Sequence, residues 1–395
     1  MLIAKKPFTL TKILLMLYVF RFVFIAGSEN ISSMFNYIGE LVILGFLIDV
    51  VALKNRINWS AFQTITPYIM FLSLMFISII WYPKGNEYIF DIFTKYLLFF
   101  ICFFVVSSSN SFDFIFYAIL MACLSIFIIG YDEISEYILN PVNRRFNFNS
   151  IDDEGGINPN ALAFYCNTTI GFLIYKFRTI EKKHLQLSIV GLISIFVFLI
   201  VYVTLSRKGI IGIVFMYFFY LLSGKRKNIM TNISVTIASL IGLVFLAQNL
   251  DLPIMNRFVS TINLLEGGTN IGESDYERTF LFFESINFWN DSPFFGNGIK
   301  HFENNSALGL YTHINYIELL TNYGMVGLML FYFPIIRKVR FLYLNYNQIS
   351  FEIKFFFYML LFILIYDFAM VSYYNIIYLL IISTILGYQI KLSSK

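Results

Sequence analysis

The chain has 395 residues, of which 58% are hydrophobic, 19% aromatic and only 13% charged. Soluble domains carry roughly 25% charged residues, so this composition excludes a soluble globular enzyme and points to a protein that lives in lipid. Net charge is a modest +4 and offers no basic patch of the kind that binds nucleic acid. Three cysteines, Cys102, Cys123 and Cys166, all lie in apolar runs and read as small buried hydrophobes rather than a disulfide framework or metal site.

Apolar runs of spanning length recur along nearly the whole chain. Twelve are expected, at 10–27, 34–53, 64–81, 89–106, 112–130, 160–177, 185–205, 208–222, 229–247, 315–335, 353–371 and 373–390. The fold class is therefore an all-α polytopic membrane protein in a single integral membrane domain over 1–395. Lys5, Lys6 and Lys12 precede the first run as in a signal sequence, but no small-residue cleavage site follows, so a retained first helix is expected. Basic residues set the orientation. With the N-terminus inside, the inner segments hold Lys54, Arg56, Lys176, Arg178, Lys182, Lys183, Lys225, Arg226, Lys227, Arg337, Lys338 and Arg340 among others. They outnumber the outer basic residues more than two to one. Both termini are placed in the cytoplasm.

Two outer segments are too long to be mere connectors. The first, 131–159, carries Arg144-Arg145 and the acidic turn Asp152-Asp153-Glu154, and ends in Asn158-Pro159. The second, 248–314, is the largest polar stretch of the chain. Inside it Ser274-Asp275-Tyr276-Glu277 fits a capping box that opens a helix through about Asn290. Ser292-Pro293-Phe294-Phe295-Gly296-Asn297-Gly298 then forms a tight turn.

Three spans run inward from the outer face and begin with unusual residues: Asn160 at the sixth, Ser206-Arg207-Lys208-Gly209 at the eighth, and Thr312-His313-Ile314-Asn315 at the tenth. Each helix N-terminus presents free backbone N–H groups and roughly half a positive charge, which suits an anion. Arg207, Lys208 and Arg278 add full charges, and arginine matches phosphate oxygens two at a time. Arg144 and Arg145 fit sugar, phosphate or anionic lipid equally. His313, with an ordinary pKa near 6.5, stays neutral beside such charges and is able to accept a proton. A general base beside a diphosphate site suits a hydroxyl attacking a carbon whose leaving group is a lipid diphosphate. The plainer readings stand beside these: Arg207 and Lys208 as snorkelling boundary residues, His313 as a capping residue, His301 as structural. Glu40, Asp49 and Asp367 lie in or near spans, where carboxylates are functional suspects, but no partner is visible for them in the sequence.

Leu205-Ser206-Arg207-Lys208-Gly209, Glu277-Arg278, Pro293 to Gly298, and His313 to Gly327 with its Tyr-Ile-Glu-Leu-Leu and Gly-x-x-Gly elements, together resemble the O-antigen ligase and polymerase family of bacterial envelope polysaccharide assembly. Asn158-Pro159-Asn160 resembles that pattern too, and the likeness covers about 140–335. It implies a type C glycosyltransferase-like fold in the bacterial inner membrane, with its site on the extracytoplasmic face. The implied donor is an oligosaccharide on undecaprenyl diphosphate, bound among membrane lipid, with no metal or other cofactor and no nucleic acid. Chain-length regulator and flippase proteins are the implied partners. By the same resemblance Arg207 and Arg278 bind the diphosphate and His313 is catalytic; the reading of the residues themselves adds Lys208, Arg144, Arg145, Asn160 and Asn315 as substrate-binding candidates. The family has Asn directly after its histidine, whereas here Ile314 intervenes before Asn315.

A polymerase of O-antigen, capsule or exopolysaccharide repeat units is the expectation. A ligase that moves finished glycan to lipid A core or another acceptor remains the alternative inside the family. A flippase or transporter fits less well, because no paired halves are visible. A non-catalytic assembly partner would have no use for His313.

Overall fold

A backbone in lipid has no water to satisfy its polar groups, so spans close their hydrogen bonds within each helix. The computed structural model describes residues 8–25, 37–129, 134, 159–222 and 273–390. Among these residues there are helices and turns but no strand. In chain order the helices are α1 (Thr9–Ile25), α2 (Ile38–Val51), α3 (Phe62–Ser78), α4 (Asn86–Ser109), α5 (Asp113–Ile129), α6 (Pro159–Thr179) and α7 (Lys183–Phe198). Then come α8 (Arg207–Leu222), α9 (Glu273–Asp291), the short α10 (His301–Asn305), α11 (Asn315–Leu344), α12 (Phe351–Tyr366) and α13 (Ile376–Gly387). A π-helical turn, Leu199–Thr204, prolongs α7.

Among the described residues, four helical stretches are long and apolar enough to cross a membrane: Trp59–Ser78, Pro83–Ser109, Lys183–Thr204 and Asn315–Leu344. The expected ninth span, the first long outer loop apart from Ile134 and Pro159, the proximal part of the second, and Arg144 and Arg145 lie outside the described residues.

The bundle is organised around α13. All of its residues from Ile376 to Gly387 are buried, and it packs along α4. Its two hydroxyl residues Ser383 and Thr384 are satisfied locally: both donate to the Leu380 carbonyl, at 2.9 and 2.7 Å. α11 packs on α3 and α9, α6 on α8 and α7, and α1 on α5 and α2. The three cysteines are buried free thiols, as their apolar setting implied.

Two boundaries depart from the hydropathy reading, and both bear on the site. The expected spans 353–371 and 373–390 nearly abut, but α12 ends at Tyr366 and α13 starts at Ile376. The intervening 367–375 is a non-helical segment that carries buried Asp367 and Ser372. Its Phe368, Ala369, Met370 and Val371 kept the window apolar and hid the break.

The second departure is within α11. The helix is interrupted at Gly324, where φ is 64° and ψ −168°, a conformation essentially confined to glycine. The interruption frees the carbonyls of Thr321 and Asn322 and the amides of Met325 and Val326. All four find partners in the turn 293–298. Asn297 N donates to Thr321 O at 3.0 Å and Gly298 N to Asn322 O at 2.8 Å. Met325 N donates to Pro293 O at 2.9 Å and Val326 N to Phe294 O at 3.1 Å. A buried backbone group left without a partner costs about 1–3 kcal/mol, so the turn is what makes the break tolerable. The contact is too close for side chains: a Cβ on Gly324 would lie 2.3 Å from Phe294 C, and one on Gly296 2.3 Å from Asn322 C. Two motifs far apart in the sequence are thus one structural unit.

Candidate active site

His313 sits two residues before the start of α11, next to its N-cap Ile314, with φ at 62°. Histidine is among the non-glycine residues that tolerate the left-handed region, at modest cost, when the surroundings hold it there. The surroundings do so from both sides. On the N-terminal side, Thr312 is almost wholly buried, and its N–H donates to Glu318 Oε2 at 2.8 Å. The Thr312 hydroxyl donates to Ile314 O at 2.9 Å and accepts from Ile314 N at 3.3 Å, which spans the histidine. On the C-terminal side, Asn315 N donates to Asp367 O at 2.8 Å. The imidazole meets the Tyr311 ring edge-on, with centroids 4.3 Å apart.

Asn315 was expected to bind substrate. The structure gives its side chain a different occupation: it is fully buried and engaged throughout. Its Oδ1 accepts from Ser372 N at 2.8 Å and Tyr373 N at 3.1 Å, while Nδ2 donates to Tyr332 Oη at 2.8 Å. Asn315 anchors the 367–375 segment against α11.

Asp367 is one of the three carboxylates that sequence reasoning left without a partner. In the fold it receives Tyr332 Oη at 2.6 Å and Ser372 Oγ at 2.6 Å, and Tyr378 Oη as well. One buried carboxylate therefore ties α11, α13 and the 367–375 segment together. The signal that points to it is Ser372-Tyr373-Tyr374-Asn375 ahead of an apolar run. Asn375 caps α13 through Oδ1, which accepts from Tyr378 N at 3.2 Å.

The same segment reaches the second expected cluster. Lys208 Nζ donates to the Ala369 carbonyl. Ser206, just before α8, caps that helix by accepting from Gly209 N at 3.2 Å, and its hydroxyl donates to Asn160 Oδ1 at 3.0 Å. Tyr366 Oη, at the end of α12, donates to Asn160 O at 2.9 Å. The N-terminal ends of α6, α8 and α11 thus meet around 366–372, and three of the expected positions, Asn160, Lys208 and Asn315, are brought into one hydrogen-bonded assembly beside His313. Arg207 is the first residue of α8. Arg278 lies half-buried on α9, whose helix packs on α11.

His301 stands apart from this assembly. Its ring meets Tyr82 at 4.7 Å and Phe288 at 5.6 Å, both edge-on. Burial holds its pKa below the usual 6.5, with Asp291 opposing the shift. This is a packing histidine, as the plainer sequence reading had it.

With this geometry in place, the comparison with known families becomes specific. Residues 192–332 match the family described as O-antigen ligase. The match includes Arg207, Lys208, Arg278, the 293–298 turn, His313 and the Gly324 break, so the resemblance drawn from those motifs holds. It supports activity of the O-antigen ligase and polymerase type, a glycosyltransferase-like chemistry on a lipid-linked oligosaccharide in a multi-pass membrane protein. No curated protein matches the chain.

Proposed function

We propose that the chain is a polysaccharide repeat-unit polymerase that transfers the growing glycan from undecaprenyl diphosphate to the non-reducing end of a new lipid-linked repeat unit. The observation that carries the reading is the clamped, left-handed His313 beside the joined N-terminal ends of α6, α8 and α11. Helix N-termini favour an anion, and arginine favours a diphosphate in particular. In the reaction His313 takes the proton of the acceptor hydroxyl. The acceptor oxygen then bonds to the anomeric carbon as the bond from that carbon to the diphosphate oxygen breaks. The leaving diphosphate carries the negative charge, which Arg207 and Arg278 stabilise. A single displacement inverts the anomeric configuration. The reaction takes place on the extracytoplasmic face of the plasma membrane, with both termini in the cytoplasm. Chain-length regulator and flippase proteins are its expected partners.

A second reading is a ligase acting on lipid A core or another acceptor, favoured by the description of the matching family. The purified protein in lipid, given one synthetic lipid-diphosphate repeat unit, separates the two. A size ladder of inverted linkages supports the polymerase. Product only when another acceptor is added supports the ligase. Substrate crossing the bilayer with no new bond means a carrier and overturns both.

A further inference from the structure

We infer that Glu318 is a positioning residue for His313, acting through the Thr312 backbone; this rests on the proposed role of His313. The carboxyl group is fully buried on the first turns of α11, and both of its oxygens accept. Oε2 takes Thr312 N at 2.8 Å and Oε1 takes Asn322 Nδ2 at 2.9 Å. Asn322, also fully buried, passes the link on: its Oδ1 accepts from Phe302 N at 3.1 Å. Its backbone carbonyl accepts from Gly298 N at 2.8 Å. One chain of buried polar contacts therefore runs from the 293–298 turn through α11 to the residue before the histidine.

The surroundings explain why such a link matters. Ala307, Leu308, Gly309 and Leu310 are exposed, and Tyr311 and His313 are half-buried. Thr312 is the buried pin of this stretch, and Glu318 is what holds its amide. Helical register alone does not require that bond, because Thr312 lies outside α11. A carboxyl buried at a span end is costly and persists where its hydrogen bonds fix something. What it fixes here is the backbone on which the imidazole is mounted. A displacement of about 1 Å at a reacting group costs roughly a hundredfold in rate.

The polarity of the chain supplies the test. In E318Q the new carboxamide keeps one acceptor for Thr312 N but turns its NH2 toward the NH2 of Asn322. In the double variant E318Q/N322D the roles exchange. The Gln NH2 then donates to one carboxylate oxygen at 322, while the other accepts from Phe302 N. Wild type, E318Q, N322D, the double variant and H313A are assayed with the synthetic lipid-diphosphate repeat unit, and the melting temperature of each is recorded. E318Q is expected to lower kcat about a hundredfold while KM for the donor changes little. The double variant is expected to recover most of that loss.

An E318Q protein with wild-type kcat overturns the inference. So does a folded double variant no faster than the slower single variant. If E318Q and the double variant both lose the fold, Glu318 holds the bundle rather than the histidine, and the inference fails. Full activity in H313A would instead remove the proposed reading of His313, whatever the Glu318 variants do.

Discussion

α7 with its π-helical turn and α11 are both apolar enough to span a membrane, yet the serines along α7 and the buried amide and carboxyl side chains of α11 find different kinds of partner. On α7, Ser188 donates to His184 O at 3.2 Å and Ser194 to Val190 O at 3.0 Å, each bonding back to its own helix. Leu187 beside them is 75% exposed. On α11, Asn315, Glu318 and Asn322 are fully buried, and each bonds to another segment of the chain. Hydropathy passes both as spans because it counts residues, not partners. What separates these two sets of side chains is whether a polar group is used within its helix or between elements.

The sharpest way to break that contrast is at the α11 interruption. G324A places a Cβ 2.3 Å from Phe294 C and O and forces an L-residue into a glycine conformation. A loss of about 3 kcal/mol or more in stability is expected, read by thermal melting in detergent or lipid. A melting temperature equal to wild type would mean that the break and the 293–298 turn are not joined as described.

Next come the cations. R207A and R278A are each expected to lower kcat/KM for the lipid-diphosphate donor about ten- to a hundredfold with the fold retained. Unchanged kinetics in either would remove that arginine from the diphosphate site.

A smaller effect is expected at His301. Its folded pKa is depressed, so its neutral form is the one the fold prefers. Stability contributed by this residue is complete above the ordinary value of about 6.5 and is lost as pH falls through it toward the lower folded pKa. H301F, which keeps the ring contacts with Tyr82 and Phe288, is expected to flatten the melting-temperature decline below about pH 6.5. An equally steep decline in the variant would assign it to other groups. The smallest effect belongs to α7: S194A is expected to change stability by less than about 0.5 kcal/mol. A large loss there would dissolve the distinction between the two helices.

Much of this organisation was legible in the sequence, because lipid leaves the backbone few options. The bounds of α3, α4, α5, α6 and α8 fall within a few residues of the apolar runs, and α9 runs over Glu273–Asp291 as the Ser274 to Glu277 signal indicated. Ser206, Arg207, His313 and the 293–298 turn stood out because polar and glycine residues at the edge of an apolar run are unusual. The hidden parts were those whose meaning lies in a distant partner. Asp367 reads as an isolated charge in a span until Tyr332, Tyr378 and Ser372 are folded against it. Gly324 reads as an ordinary helix glycine until the 293–298 turn fills the gap it makes. Asn315 stands where a ligand-binding amide was expected, and only its burial reveals an anchor.

The most direct test is the H313A protein in the repeat-unit assay, run beside wild type at matched protein concentration and with both melting temperatures recorded. The account predicts no size ladder and no transfer to an added acceptor, with a melting temperature close to wild type. Wild-type turnover in a correctly folded H313A protein would contradict it.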